Sequence, residues 1–233
     1  MRTVRTTLIV ALALAIISPM LAAEKVVEPF NGKDLSGWQH KGKSAASHWS
    51  VGEPSLDPAN PRVLVVKPGG NCMCNQVPPH SVDIYTEEKF GDAIIDVELM
   101  VPKGSNSGVY MMGEYEIQVL DSFGQKKPGK GDMGALYGIK PPDASPFRTP
   151  GEWQHLVIEY RAPKFDAEGK KTANGRIVKA TLNGEVIQQD VDIPHPTGGG
   201  VTGKEHPTGP VMFQGNHGPV AFRNIKITVL SEK

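Results

Sequence analysis

An all-β fold, with two antiparallel sheets packed face to face as a sandwich or jelly roll, is predicted for this chain of 233 residues by three features. Past the N-terminal segment no stretch shows the 3.6-residue apolar period of a helix, and short runs alternate with period two instead. Glycine (26) and proline (20) are abundant, which suits many turns better than helices. Long polar stretches separate the alternating runs, as loops between sandwich strands do.

The elements follow in order. The opening MRTVRTTLIVALALAIISPMLAAEK carries Arg2 and Arg5, then an apolar run from Leu8 that is broken at Ser18 and Pro19 and ends on Ala22 and Ala23. That is the order of a secretory signal, and the run is shorter than the roughly 20 residues of a membrane span. Residues 1–23 are therefore expected to be cleaved after Ala23, leaving 24–233 as one exported domain, periplasmic or secreted and free of the membrane.

AIIDVELMV (93–101) sets Ile95, Val97, Leu99 and Val101 against Asp96 and Glu98, and HLVIEYR (155–161) sets Leu156, Ile158 and Tyr160 against Val157, Glu159 and Arg161. Both read as half-buried strands. IVKATLNGEVIQQ (177–189) reads as a hairpin around Asn183-Gly184, a dipeptide that accepts positive φ. In VAFRNIKITVL (220–230) the apolar phase shifts between Phe222 and Ile225, which predicts a bulge held by Arg223 and Asn224. Five polar stretches, 42–57, 67–79, 125–150, 162–174 and 194–210, are read as loops. Trp38 and Trp153 are assigned to the core.

Lysine plus arginine equals aspartate plus glutamate, 25 each, so no broad field draws nucleic acid or an anionic membrane, and a neutral small molecule is the expected partner. Cys72 and Cys74 lie too close along the chain for an unstrained disulfide and too few for a zinc site, so a loop with a strained, intermolecular or free thiol pair is expected. His40, His48, His80, His155, His195 and His206 show no zinc-site spacing, and the glycine-rich GGGVTG and KPGKGDMG do not open a helix, which argues against a nucleotide loop.

SGVYMMGEYEIQVLDSFG (107–124) carries the chemistry. If Tyr115, Ile117 and Val119 face the core, Glu114, Glu116 and Gln118 face away from it. A bulge near Leu120 would bring Asp121 to the side of Glu116, and bulges are common beside active sites. The alternative is an outer strand merely wetted by polar side chains.

FNGKDLSGW (30–38), NSGVYMMGEYEIQVLDS (106–122), ALYGIKPP (135–142), GEWQHLVIEYRAPKF (151–165), ATLNGEVIQQ (180–189) and GPVMFQGNHGPVAFRNIKI (209–227) together resemble the 3-keto-disaccharide hydrolase domain family. The resemblance implies a concanavalin A-like lectin/glucanase sandwich whose concave sheet binds sugar. In the related glucanases the catalytic strand reads Glu-x-Asp-x-x-Glu, and Glu116, Gln118 and Asp121 occupy that spacing. The amide and the shorter acid do not suit double displacement.

A 3-keto sugar allows another route, because its carbonyl acidifies the C2 hydrogen. The route needs a base near C2, a donor at the C3 oxygen and an acid at the leaving oxygen. Glu116 is expected as base or acid, His217 as the second proton carrier and Asp121 as its orienter. Gln118, Tyr137, Lys140, Arg148 and Gln214 are the expected substrate contacts. Tyr137 alternatively packs in the core, Lys140 caps a loop and Arg148 pairs with Asp143. No cofactor is predicted, although Glu116, Asp121 and His217 would suit a divalent ion if they met. A non-catalytic carbohydrate-binding module and a conventional glucanase are the competing readings.

Overall fold

A computed structural model describes residues 25–43, 46–76 and 81–231, so the N-terminal segment read as an export signal and His80 lie outside the described residues. Fifteen strands follow in order: β1 Lys25–Val27, β2 Trp38–Lys41, β3 Trp49–Leu56, β4 Leu64–Asn75, β5 Asp83–Thr86, β6 Ala93–Met100, β7 Asn106–Met111, β8 Tyr115–Leu120, β9 Trp153–Arg161, β10 Lys164–Phe165, β11 Lys171–Ala173, β12 Gly175–Leu182, β13 Glu185–Ile193, β14 Met212–Phe213 and β15 Val220–Val229. They form an eight-stranded sheet, β13-β12-β9-β6-β15-β4-β3 with β1 beside β15, a five-stranded sheet, β2-β5-β14-β7-β8, and a separate two-stranded hairpin, β10-β11. Pairing is antiparallel throughout, so the all-β two-sheet sandwich stands.

The alternating phases hold. Ile95, Val97, Leu99, Leu156, Ile158 and Tyr160 from one sheet meet Val109, Ile117, Val119 and Tyr115 from the other in one apolar core. Aromatic rings join the layers: Trp38 stacks on Phe213 at 5.2 Å, Phe213 on Phe222 at 4.0 Å and Phe222 on Trp49 at 6.2 Å. Each such buried ring contributes about 3 kcal/mol of transfer free energy, so truncating the central Phe213 or Phe222 would part the sheets.

The hairpin turns at Asn183 (φ 52) and Gly184 (φ 86). The β15 register breaks between Arg223 and Lys226, where Arg223 Nε and Asn224 Nδ2 donate to the two carboxylate oxygens of Glu98.

Three expectations fail. Three stretches read as loops carry strands: 42–57 contains β3, 67–79 the end of β4, and 162–174 the short β10 and β11. Gly52 and Gly70 meet at a register break between Gly52 and Glu53, where a Cβ on Gly70 would fall 2.2 Å from Glu53 N. Cys72 and Cys74 accordingly sit on β4 as buried free thiols, and burial raises the first to about 11 and the second to about 12. Trp153 is only partly buried and lies outside the main core, under the Arg223 guanidinium at 3.9 Å.

Candidate active site

Strand alternation puts one row of side chains on the outer face of the five-stranded sheet. Gln39 pairs with Tyr85, Tyr85 with Met212, Met212 with Tyr110 and Tyr110 with Glu116. The next row runs Lys41, Asp83, Gly108 and Gln118, with Gln214 N bonded to Gly108 O beside it. Two of the polar stretches read as loops cover this face, which is why Glu116 and Gln118 are buried although they point away from the core.

The first cover is residues 129–140. Gln118 N donates to Ala135 O at 3.0 Å, Gly134 N to Gln118 O at 2.8 Å and Tyr137 N to Glu116 O at 3.1 Å, so this segment runs along β8 as a partial extra strand. The second cover is residues 197–203, a strap across the face. Glu116 N donates to Thr197 Oγ1 at 2.9 Å, and the buried Glu114 carboxylate accepts from Thr202 N, Thr202 Oγ1 and Gly203 N at 2.7, 2.7 and 2.9 Å. Of two glutamates on one face, Glu114 is therefore consumed as an anchor. Glycine is required where the strap passes Tyr110: Gly199 has φ 67, and a Cβ there would sit 2.8 Å from the Tyr110 hydroxyl.

Between the covers lies a pocket of about 190 Å³ lined by Glu116, Gln118, Tyr137, Gln214 and His217 together with Asn106, Tyr110 and Thr197–Gly199. Tyr110 Oη donates to Glu116 Oε2 at 2.8 Å and accepts from Gln214 Nε2 at 3.1 Å. The other carboxyl oxygen lies over β7 where Gly108 leaves room, since a Cβ there would fall 2.3 Å from Oε1. Burial pushes the Glu116 carboxyl up to about 7; the Tyr110 hydrogen bond pulls it down and the Asp83 charge adds to the rise. Its ordinary range is near 4.5, so this acid keeps its proton much closer to neutral pH than an exposed carboxyl does.

His217 is exposed on the pocket wall, its Nδ1 against Asn216 Oδ1. An amide oxygen only accepts, so in the neutral ring Nδ1 carries the proton and Nε2 keeps the lone pair. The loop bearing it is tied down by Asp83, which is 2% exposed and accepts from Gly215 N at 3.0 Å and Asn216 N at 3.4 Å. Lys41 Nζ joins the walls, reaching Asp83 Oδ2 at 3.4 Å and the strap carbonyl of Gly199 at 2.5 Å.

A family model described as the 3-keto-alpha-glucoside-1,2-lyase-like domain matches residues 25–228. The chain belongs to this family. As a member of the 3-keto-alpha-glucoside-1,2-lyase-like family it is carbohydrate-active, in line with a solved structure from Parabacteroides distasonis, provisionally named a glycosyl hydrolase. That structure is 30% identical over 88% of this chain and 84% of its own, with a TM-score of 0.69. A second from the same organism, with the same provisional name, is 20% identical over 88% and 94% with a TM-score of 0.59, and speaks for the fold. No curated protein matches the chain.

Three of the expected site residues are not in this family member's pocket. β7 and β8 pair in unbroken register from Asn106↔Leu120 to Met111↔Tyr115, so no bulge turns Asp121 toward Glu116. Asp121 lies past the strand end, where its carboxylate accepts from Gly104 N at 2.8 Å and Phe123 N at 3.3 Å. Asn216 takes the place beside His217 intended for it. Lys140 pairs with Asp143 at 2.5 Å, which also displaces the expected Arg148 partner, while Arg148 Nη1 donates to Trp153 O at 2.7 Å.

Glu116, Asp121 and His217 therefore do not form one ligand set, and among the described residues no group of three or more His, Cys, Asp or Glu gathers at metal-binding distance. Tyr137 is 41% exposed on the pocket edge and not a core aromatic.

Sequence reasoning missed Tyr110, Asn106, the 197–199 strap and the Lys41–Asp83 link. Tyr110 alone left a signal, because Gly108, Tyr110 and Met112 share a phase opposite Val109 and Met111.

Proposed function

We propose that this protein is an exported enzyme that cleaves the glycosidic bond of 3-keto glucosides or disaccharides by proton abstraction at C2, elimination at C1 and addition of water. One observation carries the reading: the pocket is lined by a single carboxyl, Glu116, accompanied by an imidazole rather than by a second acid. Ordinary glycosidases flank the scissile bond with two carboxyls. Asp121 is remote, Asp83 is occupied beneath the loop and Glu114 is consumed by the strap, so double displacement lacks its second group. The pocket, about 190 Å³, suits one sugar ring.

In the reading proposed, His217 Nε2 removes the C2 proton and the electron pair moves into the C3 carbonyl as an enolate, whose oxygen accepts a hydrogen bond from the Tyr137 hydroxyl. Re-forming that carbonyl drives out the C1 substituent, with the Glu116 proton passing to the departing oxygen, and leaves a C1–C2 double bond. Water then adds at C1, losing a proton to the Glu116 carboxylate, and C2 regains its proton from His217. Both groups return to their starting states. Burial supports Glu116 as the acid, because it keeps a transferable proton on a carboxyl near neutral pH. Export rests on the N-terminal sequence.

The test incubates purified mature chain with 3-keto-trehalose and methyl 3-keto-glucoside and, in parallel, with the unoxidised sugars. Free sugar released from the oxidised set alone is expected. Equal release from both sets would point to a conventional glucanase, and binding without release to a non-catalytic module.

A further inference from the structure

A second and larger cleft lies on the same outer face, across the strap from Glu116. It measures about 470 Å³, within the roughly 300–1,000 Å³ of ordinary small-ligand sites, and Val201 and Thr202 of the strap form its near wall. Tyr85 lies in the same cross-sheet row as Tyr110 and Glu116, and its ring is held by a hydrogen bond from its hydroxyl to Gln39 Oε1 at 3.0 Å.

Met112 lines the cleft and is 4% exposed. Its φ of 57, followed by Gly113 at φ 69, is what the β7–β8 turn closed by Glu114 N on Met111 O requires, and that turn sets the side chain in the cleft wall.

We propose that this cleft is a carbohydrate site separate from the Glu116 pocket, taking neutral sugar units on the Tyr85 ring. The lining chemistry selects that class. The Tyr85 face, Met112 and Pro210 supply apolar surface for the C–H side of a pyranose, and Thr208 and His206 at the rim supply hydrogen-bonding groups. Its charges are mixed, Glu87 and Glu114 against Lys89, and the Glu114 carboxylate is already occupied by the strap's N–H and hydroxyl donors, so no cluster of one sign favours a phosphate or a polycation. The ligand is either the remote part of a longer substrate or an independent glycan, and the two share this chemistry.

The test titrates the protein with unoxidised trehalose, maltotriose, cellotriose and laminaritriose while following the methyl signals of Met112 and Val201 by NMR. Saturable shifts of both with at least one sugar are expected, weakened about tenfold or more by Tyr85→Ala. Thr208→Arg, which fills the cleft from an exposed rim position, gives the same loss without touching the core. Saturation at one equivalent, with Tyr137 shifting in step, identifies a single chain spanning both clefts; a separate second equivalent identifies an independent glycan. Absence of shifts with all four sugars, or shifts unaltered in both variants, overturns the proposal. The readout is binding of unoxidised sugar, so it stands or falls apart from turnover of keto sugars.

Discussion

Tyr110 Oη donates a hydrogen bond to Glu116 Oε2 across 2.8 Å, in a pocket where burial works against the charge which that hydrogen bond favours. Burial prevails, since the carboxyl still rises to about 7, but the opposition makes the Glu116 proton adjustable from either side.

Glu116→Gln should abolish turnover, by at least about a hundredfold, while stabilising the fold at alkaline pH. A carboxyl raised from 4.5 to about 7 favours the folded state fully below 4.5, and that contribution is lost as pH climbs through 7. The loss amounts to about 3 kcal/mol above pH 8. Glutamine does not titrate, so urea unfolding should show the variant's stability advantage growing between pH 5 and pH 8. An unchanged difference across that range would remove the buried acid from the account.

Tyr110→Phe and Asp83→Asn should move the alkaline limb of the pH–rate profile in opposite directions. The first removes the hydrogen bond that lowers Glu116, so the acid form survives to higher pH. The second removes the charge that raises it, so the limb moves to lower pH. Loss of the hydroxyl also strips Gln214 Nε2 of its acceptor, a stability cost of about 1–3 kcal/mol measurable by denaturant titration.

Gly108→Ala should displace the Glu116 carboxyl, because the new Cβ would fall 2.3 Å from Oε1. Turnover should fall by more than tenfold with the fold retained, as judged by circular dichroism, and a crystal structure should show the carboxyl turned away from β7. Wild-type rates in this variant would mean that the oxygen over Gly108 plays no part.

Asp121→Ala and His217→Ala should separate structure from chemistry. Asp121 holds two loop N–H groups away from the pocket, so its loss should lower stability by about 1 kcal/mol and leave turnover within twofold of wild type. His217 is exposed, so its loss should spare stability and remove turnover.

Alternation is written locally in the chain, and it told which side chains leave the core: Tyr115, Ile117 and Val119 go inward, and Glu116 and Gln118 outward. Asn183-Gly184 and the phase shift after Phe222 were likewise readable, because a turn or bulge needs particular residues at the point where it occurs. Asp121 was misplaced because spacing along β8 cannot reveal whether the strand continues, and here it ends at Leu120. β3 and β4 were missed because their glycines answer to the partner strand rather than to their own neighbours.

What the amino-acid order determined by itself is therefore the sandwich, its outward polar stripe and the family resemblance. Tertiary structure alone decided which polar groups became a site. Lys41 meets Asp83 and Gly199, Glu114 fastens the strap and Asn216 backs His217, through contacts that mostly join residues far apart in sequence. The physical reason is that a polar side chain's use depends on which donors and acceptors the folded chain brings within about 3 Å, and no local pattern carries that distance.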